Sequence, residues 1–90
     1  RLETSRAMDF VQLSEKLNIS KLRVPDKIVG KTVAAVNLRA KFGCNIIAIE
    51  NGGALMEAID PGYAFRKGDI LFVAGSKDGL NRMAEWGEKA

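Results

Sequence analysis

Apolar and polar residues alternate near the start of the chain as they do along half-buried strands. Leu22 and Val24 alternate with charged neighbours, which predicts a strand over Ile19–Val24. Pro25 ends this strand, because proline cannot donate to a strand ladder. A weaker alternation predicts a short extended segment over Asp9–Leu13.

Helical spacing replaces this alternation after the proline. Val29, Val33 and Val36 lie four and three residues apart, so they would share one face of a helix predicted over Val29–Val36. A second short helical turn is predicted over Leu38–Phe42, before a glycine. Two helical pieces therefore follow the first strand.

The most apolar run of the chain comes next. Cys44–Glu50 is rich in β-branched residues and predicts a central strand. Asn51-Gly52-Gly53 supplies the positive φ angles of a tight hairpin, so Ala54–Ile59 is expected to return antiparallel to it. The two glycines lie between strands rather than before a helix, which favours a hairpin over a phosphate-binding loop.

The last third of the chain predicts two turns, a strand and a helix. Asp60–Gly62 and Arg66–Asp69 have turn compositions, and Ile70–Ala74 is a third strong strand. Ser76 can cap a final helix, with Asp78 near its positive end. The buried stripe of that helix would consist of Leu80, Met83 and Ala84.

The predicted order is β-α-β-β-β-α, an α+β sandwich with helices on one face of a mostly antiparallel sheet. We expect one domain over residues 19–86, preceded at 1–18 by a linker or helix end (Arg1–Met8), the short extended segment and a polar loop (Ser14–Asn18), and followed by a tail at 87–90. Because the chain starts at Arg1 without an initiator methionine, it is expected to be a fragment of a longer protein.

Composition narrows the possible functions of these 90 residues. The chain has no histidine and one cysteine, which argues against zinc sites, internal disulfides and histidine-based catalysis. No Walker loop, dinucleotide fingerprint or nucleophile elbow is present, so an enzyme is not expected. The net charge of +3 is too small to predict nucleic-acid binding. No apolar run has the roughly 18 residues of a membrane span, so a cytoplasmic protein without membrane insertion is expected.

Several polar residues could carry chemistry. Arg39 and nearby Lys41 would give a local positive site, and Asn45 opens the central strand on the opposite face from Cys44. The alternative is that Arg39 is a surface charge and Asn45 a strand-end hydrogen bonder. For Cys44 the default interpretation is a small buried hydrophobic residue. The acidic residues at strand ends and turns are expected to be solvated; they are Glu50, Glu57, Asp60 and Asp69.

Four motifs together resemble the TrkA-C domain, the C-terminal lobe of the RCK (regulator of conductance of K⁺) domain. They are Ile-x-x-Leu-x-Val-Pro, Val-Gly-Lys-Thr, Asn-Leu-Arg-Ala-Lys-Phe-Gly-Cys-Asn-Ile-Ile-Ala-Ile and Lys-Gly-Asp-Ile-Leu-Phe-Val-Ala-Gly. The similarity runs over Asp9–Met83 and is most specific over Val29–Ile49 and Phe65–Gly75. It implies a lobe that follows a Rossmann-type lobe and pairs as a two-fold homodimer. Such subunits gate potassium channels or transporters from the cytoplasmic face of the membrane.

The resemblance is closest to bacterial Ktr-type members, in which the cleft between two lobes binds cyclic di-AMP. It implies seven ligand-binding positions, which are Val33, Ala34, Asn37, Arg39, Cys44, Asn45 and Pro61. Arg39 would fork onto a phosphate, and Asn45 would hydrogen-bond phosphate or ribose. The remaining alternative is a dimerisation lobe that binds no nucleotide, or that binds another small ligand or a cation.

Overall fold

The structure is a computed structural model that describes residues 9–12 and 17–88. In this part of the chain, five strands and three α-helices follow one another. They are β1 Asp9–Gln12, β2 Asn18–Arg23, α1 Val33–Val36, α2 Leu38–Phe42, β3 Asn45–Asn51, β4 Ala54–Met56, β5 Ile70–Gly75 and α3 Lys77–Glu88. A 3₁₀ turn, Asp26–Ile28, connects β2 to the helical segment.

The strands form one sheet in the order β1-β2-β5-β3-β4, and every neighbouring pair is antiparallel. β5 lies in the centre because it pairs with both β2 and β3. Its register with β3 shifts between Ile46 and Ala48, so Ile47 forms a bulge. The helix α3 packs against β5 and α2. The predicted α+β class with an antiparallel sheet is therefore confirmed.

Within the described part of the chain, one apolar core holds the sheet and the helices together. Leu71 and Val73 of β5 are fully buried, as are Leu80 and Met83 of α3. Removing such side chains from water stabilises the fold by about 1.5–3 kcal/mol each. The other face of the sheet has no such cover among residues 17–88, and Ile47 there is 41% exposed.

The predicted glycine hairpin is confirmed. Gly52 and Gly53 have φ angles of 61° and 86°, and they join β3 to β4 as a two-residue turn. Positive φ at both central residues matches the twist of the flanking strands. The predicted strand Ile70–Ala74 and the final helix after Ser76 are present as well.

The predicted start of the first helix is wrong. Val29 is extended, and the helix begins only at Val33 because Thr32 caps it. The Thr32 side chain accepts a hydrogen bond from the Ala35 N–H at 3.1 Å. The valine spacing suggested a longer helix, but Val29 belongs to the turn that precedes it.

Other boundaries shift by a few residues. The strand predicted over Ala54–Ile59 ends at Met56, because β3 offers partners only to Ala54–Met56. Asn18, predicted in a loop, starts β2. The helix α3 ends at Glu88. The helix end or linker predicted over residues 1–8 and the loop at 14–16 lie outside the described residues.

Candidate ligand-binding cleft

The short helices α1 and α2 meet at Asn37, which adopts the left-handed conformation with φ 52°. Its backbone N–H donates to the Val33 carbonyl at 2.9 Å and ends α1. Its side-chain oxygen accepts from the Ala40 N–H at 3.3 Å and caps α2. Asparagine suits both roles, because it tolerates positive φ and is a strong N-cap residue.

A cleft of about 390 Å³ opens between this helical corner, the start of β3 and the loop after β4. Its lining residues are Val33, Ala34, Asn37, Leu38, Arg39, Cys44, Asn45, Ile46, Ile59 and Pro61. The volume is that of a small-molecule site, which typically measures about 300–1,000 Å³.

All seven positions proposed from the sequence line this cleft, although they come from four different segments of the chain. Sequence reasoning missed three apolar members: Leu38, Ile46 and Ile59. Leu38 is a core residue whose edge reaches the cleft, and Ile59 lies beyond the end of β4. Their apolar character was visible in the sequence, but their place at the cleft depends on how the loop after β4 folds.

The polar side chains of the cleft are exposed. Arg39 lies on α2 and Asn45 opens β3 opposite Ala74 of β5. Within residues 9–12 and 17–88, the Arg39 guanidinium has no hydrogen bond or ion pair. It is therefore available as a planar, permanently charged donor for an anion.

Lys41 does not join Arg39 in a common positive site, contrary to expectation. Residues two apart on a helix point in different directions, and the Lys41 ammonium donates to the Val36 carbonyl on the far side of the helical corner. There it lines a second groove with Lys27 and Lys31 beside Trp86. Among the residues that the structure describes, Arg39 is consequently the one cationic side chain that lines the cleft.

Cys44 contributes to the cleft edge, but its side chain points inward. The residue is 1% exposed, and its thiol lies 3.6 Å from the Phe42 carbonyl oxygen. Burial raises the pKa of the Cys44 thiol, and the charge of Arg82 only partly opposes that rise. The thiol is thus a buried, neutral group, as the default interpretation expected.

The loop that carries Pro61 is fastened to the start of α1. The Val33 N–H donates to the Tyr63 carbonyl at 2.9 Å, and the Ala34 N–H donates to the Pro61 carbonyl at 3.0 Å. An isolated antiparallel bridge between Thr32 and Ala64 continues this contact. These bonds hold Pro61 directly beside the start of α1.

Asp69 anchors this loop from inside the protein, and the expectation that it is solvated is wrong. It is fully buried, and its carboxylate accepts hydrogen bonds from the Tyr63 hydroxyl at 2.7 Å, the Arg66 N–H at 2.9 Å and the Asn51 amide at 2.6 Å. Burial alone would raise the pKa of Asp69, but these donors and the Arg66 charge lower it below its ordinary value. Burial and the bond to Asp69 raise the pKa of Tyr63.

The family model described as the TrkA-C domain matches residues 19–86 of the chain. The chain belongs to the TrkA-C domain family. This family consists of regulatory domains of transport proteins and not of enzymes. A relative of this TrkA-C domain is the Ktr system potassium uptake protein A of Bacillus subtilis, 29% identical over 86 residues. That alignment covers 96% of the chain but only 39% of the relative, so the chain spans well under half of that protein's length.

Solved structures share the fold of this TrkA-C domain. The RCK C domain of the potassium transport protein KtrA, in complex with cyclic di-AMP, is 33% identical with a TM-score of 0.72. The match covers 74% of this chain and 79% of that one. The RCK_C domain dimer of S. agalactiae BusR, also in complex with cyclic di-AMP, is 26% identical with a TM-score of 0.67, covering 74% and 85% of the two chains.

Among the residues that the structure describes, no helix combines the length and the apolar character needed to cross a bilayer.

Proposed function

We propose that this TrkA-C domain is a homodimeric regulatory lobe that binds cyclic di-AMP in the cleft at α1, α2 and β3. The observation that carries the proposal is the convergence of all seven candidate positions on one cleft. Two structural neighbours, the KtrA and BusR domains, were solved in complex with this nucleotide, which supports the assignment.

The chemistry of the cleft suits one half of a symmetric dianion. Cyclic di-AMP carries two phosphates related by a two-fold axis, and a two-fold dimer offers each phosphate the same set of side chains. Arg39 supplies the planar fork that binds a phosphate through two parallel hydrogen bonds. The two Arg39 side chains of a dimer, one from each chain, would therefore neutralise the two charges of one ligand.

The apolar wall suits an adenine base. Val33, Ala34 and Pro61 are small or flat, and the neighbouring Ile46 and Ile59 extend the same surface. Flat apolar contact favours a planar base.

Two asparagine side chains can add hydrogen bonds to the ligand. The exposed Asn45 amide can hydrogen-bond to ribose or phosphate. Asn37 has its side-chain oxygen committed to the Ala40 N–H, so its NH₂ group remains to donate to the ligand.

Two relatives support a proposal for the role of the complete protein. The Bacillus subtilis relative is a potassium uptake protein, and the KtrA neighbour is a potassium transport protein. We propose that the full-length protein gates a K⁺ channel or transporter subunit from the cytoplasmic side of the membrane. Binding of cyclic di-AMP to this domain would then regulate that channel or transporter subunit.

Isothermal titration calorimetry of the 90-residue chain tests the proposal. Cyclic di-AMP should bind with one ligand per two chains, and cyclic di-GMP should release no binding heat at the same concentrations. Saturation at one ligand per single chain would exclude the shared two-fold cleft. Absence of binding would contradict the proposal and favour the alternative, a dimerisation lobe that binds no nucleotide.

A further inference from the structure

The helix α1 forms one wall of the cleft, yet it has only the four residues Val33–Val36. A helix of this length is not stable by itself, because nucleation costs more than so few hydrogen bonds return. Its first N–H groups have no partners within the helix and must find them elsewhere. The stability of this wall therefore depends on contacts from outside α1.

The loop after β4 provides those contacts. The Tyr63 and Pro61 carbonyl oxygens accept hydrogen bonds from the Val33 and Ala34 N–H groups at 2.9 and 3.0 Å. Thr32 satisfies the next N–H, that of Ala35, with its side chain. The first two donors of α1 are thus held by the loop and not by the helix itself.

The Tyr63 side chain fixes this loop to the interior. Its hydroxyl donates to the buried Asp69 carboxylate at 2.7 Å. Its ring meets Phe65, which is 1% exposed, edge-on at 6.2 Å. Hydrogen bonds to a buried charged group are among the strongest in proteins, so this bond ties the loop to the core, beside the buried Phe65 ring.

We infer that Tyr63 is a positioning residue for the ligand cleft: through its bond to Asp69 it holds the carbonyl groups that keep Val33 and Ala34 in place. Tyr63 does not line the cleft. The inference rests on the proposed function for the identity of the ligand. The effect of Tyr63 on the stability of α1 is expected whatever ligand the cleft binds.

Tyr63→Phe tests the inference, because it removes the hydroxyl and keeps the ring against Phe65. Ser76→Ala is the matched control, since it also removes one hydrogen bond, the 3.0 Å bond from the Gly79 N–H, and Ser76 does not line the cleft. Two quantities are measured on both variants and on the wild type. They are amide hydrogen exchange resolved by residue, and cyclic di-AMP affinity.

Tyr63→Phe should accelerate exchange at the Val33 and Ala34 amides by about tenfold more than at the β5 amides, whose exchange reports any change in global stability. Its affinity for cyclic di-AMP should fall by about tenfold, while Ser76→Ala binds like the wild type. Unchanged exchange at Val33 and Ala34 in Tyr63→Phe would overturn the inference. If the wild type binds no cyclic di-AMP, the proposed function fails, and the exchange rates still decide whether Tyr63 positions α1.

Discussion

The backbone of Gly79 lies so close to Phe42 that a Cβ on residue 79 would be 2.5 Å from the Phe42 carbonyl oxygen. The same Cβ would be 3.1 Å from the Ser76 hydroxyl and 3.3 Å from the Cys44 thiol. This approach lets the first turn of α3 pack against the end of α2. Glycine is required here for space and not for its backbone freedom.

Gly79→Ala should destabilise the domain, although alanine is the better helix former. In an open helix the change would stabilise by up to about 1 kcal/mol, but the clash with Phe42 should cost about 1–3 kcal/mol. Urea denaturation measures the difference. Asn81→Ala, on the exposed side of α3, is the control and should be neutral or slightly stabilising. A Gly79→Ala protein as stable as the control would refute the close approach.

Asn37 caps α2 with its side chain and adopts a left-handed backbone, and substitutions can separate these two roles. Asn37→Ala loses the α2 cap and strains the left-handed backbone, so the free energy of unfolding should fall by about 1–2 kcal/mol. Asn37→Gly should cost only a few tenths of a kcal/mol, about the penalty for glycine at an N-cap. Asn37→Asp keeps the cap acceptor and should remain close to the wild type. Equal stability of the alanine and wild-type proteins would show that the cap contributes nothing.

Asp69 should make the stability of the domain depend on pH in the acidic range. Its pKa in the folded protein lies below the ordinary value of 3.8, so the folded state favours the ionised form. The resulting stabilisation is complete above the ordinary pKa and is lost as the pH falls through the folded pKa. Urea denaturation near neutral pH and near pH 3 should therefore show that acid lowers the free energy of unfolding of the wild type. The decrease should be smaller in Asp69→Asn. Glu57→Gln, at an exposed carboxylate, should behave like the wild type. An equal loss in all three proteins would contradict the role of Asp69.

The proposed shared cleft requires a dimer. Light scattering after size exclusion should give a mass of about 20 kDa, twice the 9.8 kDa of one chain. The measurement is best made over a range of concentrations with and without cyclic di-AMP, since a ligand shared by two chains must strengthen their association. A monomer that stays monomeric with saturating ligand would exclude the shared cleft.

The sequence predicted those features that depend on local patterns. The alternation around Leu22 and the apolar run before Glu50 identified two strands, and the adjacent glycines identified the hairpin. The cleft residues were found through motif resemblance, because their types alone left Arg39 and Asn45 open to a surface role. The structure then placed those residues together.

Features that depend on distant partners could not be predicted in this way. Asp69 looked like a solvated turn residue, and only the fold brings Asn51 and Tyr63 to its carboxylate. One error was local: the valine spacing extended the first helix too far, because the Thr32 side chain caps it just before Val33. Lys41 lies near Arg39 in sequence, but the turn of α2 directs it to another groove.

The affinity of Arg39 variants for cyclic di-AMP tests most directly whether the cleft binds a phosphate. Arg39→Ala should weaken binding by at least about tenfold, because it removes a charge-assisted pair from each half of the ligand. Arg39→Lys should recover only part of this loss, since an ammonium cannot reproduce the planar fork. Arg23→Ala is the control: it removes the same charge from an exposed position outside the cleft and should bind like the wild type.

Melting temperatures measured on the same samples complete the test. We expect reduced affinity of Arg39→Ala with a nearly unchanged melting temperature, because the exposed side chain has no partner among the described residues. Unchanged affinity with a lowered melting temperature would show that Arg39 is structural. That result would contradict the assignment of the cleft as a phosphate-binding site.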